Sequence, residues 1–218
     1  MLRFALLFAV PLFLAASAFT AYAADSLSML DLSNASGGAL PPGWELKVKK
    51  GAGKAFVLAD EGVKAVCLKG ENASFSIQRK ISVDVKEYPY VTWRWKVTDM
   101  PKGADFRKSD KDDQAAQLFV AFGRKSISYI WDTTAPVGSE GGSSVPLVMS
   151  VKIVVVDSGQ QDAGKWVTVT RNVYEDYKRL YGKEPPTAEG LRFQINSQYT
   201  HTKAQSCLAS VEFRKKPL

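Results

Sequence analysis

The feature that most limits what this chain can fold into is a strict two-residue alternation in Tyr90–Val97. Val91, Trp93, Trp95 and Val97 share one face, and Thr92, Arg94 and Lys96 share the other. Such a segment is a strand with one apolar side. Short segments of the same texture recur at Ala55–Ala59, Ala65–Lys69, Ala73–Ile77, Gln117–Phe122 and Ser126–Trp131. Others follow at Leu147–Val156, Trp166–Thr170, Leu191–Ile195 and Ala209–Phe213. Gly, Pro, Asp and Ser separate them. Strands at this spacing predict an all-β fold, a sandwich or a barrel.

One helix interrupts the pattern. Asn172-Val-Tyr-Glu175 has the form of a capping box, with Asn172 as N-cap. Val173, Tyr177, Leu180 and Tyr181 then share a face, and Gly182 supplies a stop. Two segments read as long polar loops, Asp99–Asp113 and Thr133–Ser144.

The N-terminus reads as a cleavable secretory signal. Arg3 is the positive region, Phe4–Phe19 is a short apolar run, and Ala21-Tyr22-Ala23 is an A-x-A cleavage site. The run is shorter than the roughly 20 residues a membrane span needs, and charged residues interrupt every later apolar stretch. Residues 24–218 are therefore expected to form a single exported domain, periplasmic or secreted. That length suits one β-sandwich.

The charge is basic, 29 Lys and Arg against 22 Asp and Glu, and spread along the chain. A spread excess gives solubility and salt-sensitive attraction to anions. No nucleic-acid motif accompanies it and export argues against such a partner, so acidic polysaccharide or membrane phosphate is the better anionic partner, and the ligand expected is a carbohydrate or an acidic polar molecule. Cys67 and Cys207 both fall in strand-like segments. Export permits a bridge between them; the alternative is two buried thiols. Two cysteines, one histidine and no C-x-x-C argue against zinc. The run Asp110, Asp112, Asp113 lacks the Gly and closing Glu of an EF-hand, so no metal site is expected.

Phosphate-loop, dinucleotide and nucleophile-elbow motifs are absent, and no cofactor is expected. Trp93 and Trp95 read as core. Trp131, beside Asp132 at the edge of the second polar loop, reads as the better exposed aromatic, with packing as the alternative reading. Arg192, Gln194 and Asn196 oppose Leu191, Phe193 and Ile195 on their strand, as Arg94 opposes the tryptophans. If the two strands are neighbours, they present one polar, basic face. That face is either a solvated exterior or a ligand groove.

Four segments carry a resemblance: Tyr90–Val97, Asp112–Phe122, Ser128–Trp131 and Arg171–Gly182. In this order they resemble a bacterial family of exported proteins known only as a domain of unknown function. The resemblance implies a jelly-roll-like sandwich, similar in shape to carbohydrate-binding modules, with no established activity. Where that family tends to show acids near the last strands, this chain has Asn196 and Gln198.

The leading expectation is an exported ligand-binding module for carbohydrate or another polar ligand, with no demonstrated catalysis. Its candidate binding residues are Arg94, Asp112, Trp131, Arg192, Gln194 and Asn196. A second reading is an envelope polysaccharide-active lyase or hydrolase using Asp112, Asp113, Tyr129 and Arg94. A third is a structural or partner-binding envelope protein.

Overall fold

The structure is a computed structural model that describes residues 24–145 and 149–218. The expected signal segment lies outside the described residues.

Thirteen strands, one α-helix and a single 3-10 turn at Ser109–Lys111 are described. In chain order the strands and the α-helix are β1 (Ser26–Ser28), β2 (Glu45–Lys50), β3 (Gly53–Asp60), β4 (Val63–Glu71), β5 (Ser74–Val83), β6 (Tyr90–Asp99), β7 (Ala116–Phe122), β8 (Lys125–Asp132), β9 (Glu140–Val145), β10 (Met149–Ser158), β11 (Val167–Asn172), α1 (Val173–Tyr181), β12 (Ala188–Asn196) and β13 (Lys203–Arg214). The strands form two sheets. One has the order β11-β6-β13-β4-β3, with β1 added to β13; the other is β2-β5-β12-β7-β8-β10-β9. The fold is a β-sandwich of jelly-roll type.

The sequence reading missed β1, β2 and β9. The Thr133–Ser144 loop is shorter than expected because Glu140–Val145 pairs with β10 as an edge strand. Its Gly141-Gly142 pair hid it, since glycine weakens a strand signal. Glycine suits the close approach there: a Cβ at Gly142 would run into the Val151 backbone carbonyl, and one at Gly141 would crowd the Phe106 ring. The β9–β10 hairpin folds so that β10 lies between β9 and β8, and β10 therefore runs parallel to β8. The other pairings between strands are antiparallel.

The alternation in β6 does what period two requires. Val91, Trp93, Trp95 and Val97 are fully buried between the sheets. Trp93 meets Trp95 edge-on at 5.3 Å and Tyr129 of β8 at 5.3 Å; Trp95 meets Trp131 of β8 at 6.1 Å. These rings bridge the two sheets, each pair adding about 1 kcal/mol beyond area burial. Leu118 and Val120 of β7, Ile127 of β8 and Phe193 of β12 complete the inward face of the longer sheet.

Helix α1 closes one end. The Asn172 side chain accepts from the Glu175 N–H, and Gly182 ends the helix in the left-handed region at φ 63°. Tyr177 packs on Phe122, and the Tyr181 hydroxyl donates to the Ser126 and Ser150 carbonyls. Asp176 is buried and accepts from Tyr129 Oη at 2.9 Å, from Arg171 Nε and Nη2, and from Arg179 Nη2. Burial pushes its carboxyl up, but the two guanidinium groups outweigh burial and leave it below the usual range.

Cys67 and Cys207 are register partners on β4 and β13 and form a disulfide. It lies on the outer face of the shorter sheet, in a small cluster with Ala65, Phe56, Leu58, Trp166 and Ala209.

Candidate functional site

The alternation that sends apolar residues inward sends another set outward on the longer sheet, and registry lines that set into rows. One row runs Gln78, Arg192, Phe119, Ser128, Ile153 across β5, β12, β7, β8 and β10. Beside it runs Gly190, Ala121, Ser126, Val151. Small residues in the second row leave a trough, and the two rows floor a groove of about 500 Å³. That size is within the range of ligand sites.

Asp112, Arg192, Gln194 and Asn196 all line this groove. The structure therefore brings four of the six expected ligand-binding residues together. Arg192 lies over the Phe119 ring, 5.3 Å from its centroid. Among the described residues no carboxylate pairs with it, and burial alone draws its pKa down. Gln194 Nε2 donates to Asn196 Oδ1 at 2.8 Å, and Ser74 Oγ donates to the same oxygen at 3.2 Å. That oxygen is spent, which leaves the Asn196 amide nitrogen for another acceptor. Burial raises the Asp112 pKa, against the lowering effect of Gln114 Nε2 donating at 2.6 Å.

Two expected residues are elsewhere. Trp131 is wholly buried, its ring against Trp95 and its Nε1 donating to the Gly159 carbonyl at 3.0 Å. It shares the inward parity of Ile127 and Tyr129 on β8, so it is core and not an exposed stacking ring. Arg94 is on the outer face of the other sheet, 5.6 Å over the Trp166 ring. Its strand β6 pairs with β11 and β13, not with β12, so the single polar face expected for Arg94 and Arg192 does not form.

The residues of the enzymatic reading are likewise dispersed. Asp113 is buried and accepts from the N–H groups of Gln198, Tyr199 and Thr200, fixing the turn before β13. Tyr129 points into the core toward Asp176. Only Asp112 of that set faces the groove.

Two groove residues that sequence reasoning passed over carry the most telling chemistry. Gln117 Nε2 and Ser128 Oγ are buried, line the groove, and have no hydrogen-bond partner among the described residues. A buried amide left unpaired costs about 1–3 kcal/mol. Their outward parity was visible in the Gln117–Phe122 and Ser126–Trp131 segments. Which exterior face becomes a groove depends on strand order, and that was not visible.

Residues 43–212 match the family described as "Protein of unknown function (DUF3047)". The chain belongs to the DUF3047 family. No curated protein matches it. Among solved structures, a family 11 carbohydrate-binding module from Clostridium thermocellum is similar at TM-score 0.45 and 8% identity, covering 88% of this chain and 96% of the other. The xyloglucanase domain of NopAA from Sinorhizobium fredii is similar at TM-score 0.49 and 9% identity, with 77% and 91% covered. An endoglucanase from Rhodothermus marinus is similar at TM-score 0.47 and 10% identity, with 88% and 99% covered. At these values the likeness is one of sandwich outline.

In this DUF3047 chain the groove is rich in donors. Two-carboxylate glycoside cleavage needs a pair of acids flanking the bond, and Asp112 is the one carboxylate among the described groove residues. Amide, hydroxyl and guanidinium groups suit recognition of a ligand bearing many oxygens. Among the described residues no group of three or more His, Cys, Asp or Glu side chains converges as a metal site would require.

Proposed function

We propose that this DUF3047 protein is an exported binding module for carbohydrate or a similar polar ligand, with the groove on the longer sheet as its site. The observation that carries this reading is the pair of unpartnered groups, Gln117 Nε2 and Ser128 Oγ, in the groove. Buried polar groups are almost always paired. Here ligand hydroxyls supply the missing partners. In the structure both atoms are covered by their neighbours.

Export is supported by the signal pattern of residues 1–23 and by the disulfide, since such bridges persist in oxidising compartments. In this reading residues 24–218 are the mature module. Among the described residues no helix is long and apolar enough to cross a membrane.

A glycan array probed with the purified protein tests the proposal. Binding to a defined set of glycans, weakened by Gln117→Ala or Gln194→Ala at unchanged fold by circular dichroism, is the expected result. No binding to any neutral or acidic glycan ends it.

A further inference from the structure

The groove contains a second anomaly, one of charge. Its lining includes Lys49, Arg79, Lys80, Arg124, Lys125 and Arg192, against the single acid Asp112. Some of these cations are held by the protein. Arg79 Nη1 donates to the Met29 carbonyl, and Lys125 lies 4.7 Å over the Tyr181 ring. Arg192 differs from both. It is half-buried at the centre of the floor, and among the described residues its guanidinium has the Phe119 ring as its one partner. A partly desolvated cation with no counter-charge is costly to keep. Lining a groove that already holds unpaired donors, it is a group arranged for an incoming anion.

We infer that the groove selects glycans bearing carboxylates, and that Arg192 is the residue that reads the charge. This rests on the carbohydrate reading above. Arg192 Cζ lies 5.3 Å from the Phe119 centroid, and among the described residues no acceptor takes its guanidinium N–H groups, so they are open to a second molecule. Their planar edge matches a carboxylate through two parallel hydrogen bonds. Around it are neutral groups suited to sugar hydroxyls: Gln78, Gln117, Gln194, Asn196, Ser126 and Ser128. The trough of Gly190, Ala121 and Ser126 runs across the strands beside Arg192. At about 4.8 Å per strand, the five strands from β5 to β10 give about 20 Å of floor, enough for several linked rings. Lysines at the margins, Lys49 and Lys80, are exposed and add a longer-range attraction for a polyanion. Nucleic acid fits less well, because stacking of bases needs free aromatic faces and Arg192 covers the Phe119 face.

The test is calorimetric titration of the full-length protein with an oligogalacturonate, its methyl ester, a neutral glucan oligomer and a polyphosphate, at low and high salt. The acid form is expected to bind at least about tenfold more tightly than the ester, a difference of about 1.4 kcal/mol. Arg192→Gln should abolish that preference, and Arg192→Lys should restore it only in part, because lysine keeps the charge but not the fork. Thermal stability of Arg192→Gln should be equal or higher, since an unpaired charge is removed. A marked loss of stability would make Arg192 a structural residue and overturn the assignment. Equal binding of acid and ester, or a preference surviving Arg192→Gln, overturns the charge inference and leaves the groove reading standing. Tighter binding of polyphosphate than of uronate overturns the choice of carboxylate. Failure of every glycan to bind overturns the carbohydrate reading itself.

Discussion

Single residues in this protein separate stability from function. Gln117 carries a buried nitrogen with no partner among the described residues, so its removal relieves a cost. Gln117→Met, close in volume, should raise stability by about 1 kcal/mol in urea unfolding while weakening glycan binding. A variant that binds normally and is no more stable would show that the amide is already satisfied. Asp176 is the opposite case. It gathers Tyr129, Arg171 and Arg179, and no atom of its carboxylate is idle. Asp176→Ala strands the buried Tyr129 hydroxyl and the Arg171 guanidinium, while Arg179 keeps its pairing with Glu140; it should cost about 3 kcal/mol, seen as a lower denaturation midpoint. Retention of the wild-type midpoint would mean that the cluster is freely rehydrated.

At the scale of elements, the connecting segments are held by buried carboxylates. The segment between β6 and β7 is tied by Asp105, which accepts two hydrogen bonds from the Arg107 side chain and one from its backbone N–H. The Arg107 guanidinium, against the opposing effect of burial, holds the Asp105 carboxyl well below the usual carboxylate range. A depressed carboxylate gives stability that is present above the unfolded aspartate pKa of about 3.9 and is lost as pH falls through the folded value. Urea midpoints should therefore decline on acidification below about pH 4, and Asp105→Asn should flatten that decline. An unchanged acid limb in the variant would place the loss elsewhere. Asp132 fixes the start of the β8–β9 connection through the N–H groups of Thr134 and Ala135, and ties it to the β6–β7 segment through that of Phe106. The polar character of both segments thus reflects internal anchoring as much as solvent exposure.

For the whole molecule, the disulfide joins residues 140 apart in sequence, β4 to β13, within one sheet. Closing so long a loop restricts the unfolded chain more than the folded one. Replacing both Cys67 and Cys207 by serine should lower stability by about 2–4 kcal/mol, measured by chemical denaturation. The same cross-link secures the shorter sheet against which the groove-bearing sheet packs, so the doubly substituted protein should still bind glycan below its unfolding midpoint. Loss of binding in the folded variant would show that the bridge shapes the groove.

The sequence by itself determined the period-two strands, their inward and outward faces, the capped helix and the opposition of Arg192, Gln194 and Asn196 to the core. These are local properties: side-chain direction follows from backbone pleat, and a cap from a few neighbouring residues. Tertiary structure alone decided which exterior faces share a sheet. It put Arg94 on one sheet and Arg192 on the other, closed Trp131 into the core, and lined Gln117, Phe119 and Ser128 beside Arg192. Strand order comes from pairings between segments far apart in the chain, and alternation within one segment carries no record of its neighbour. Hence a polar face could be foreseen residue by residue, while the groove came into being only when β5, β12, β7, β8 and β10 lay side by side.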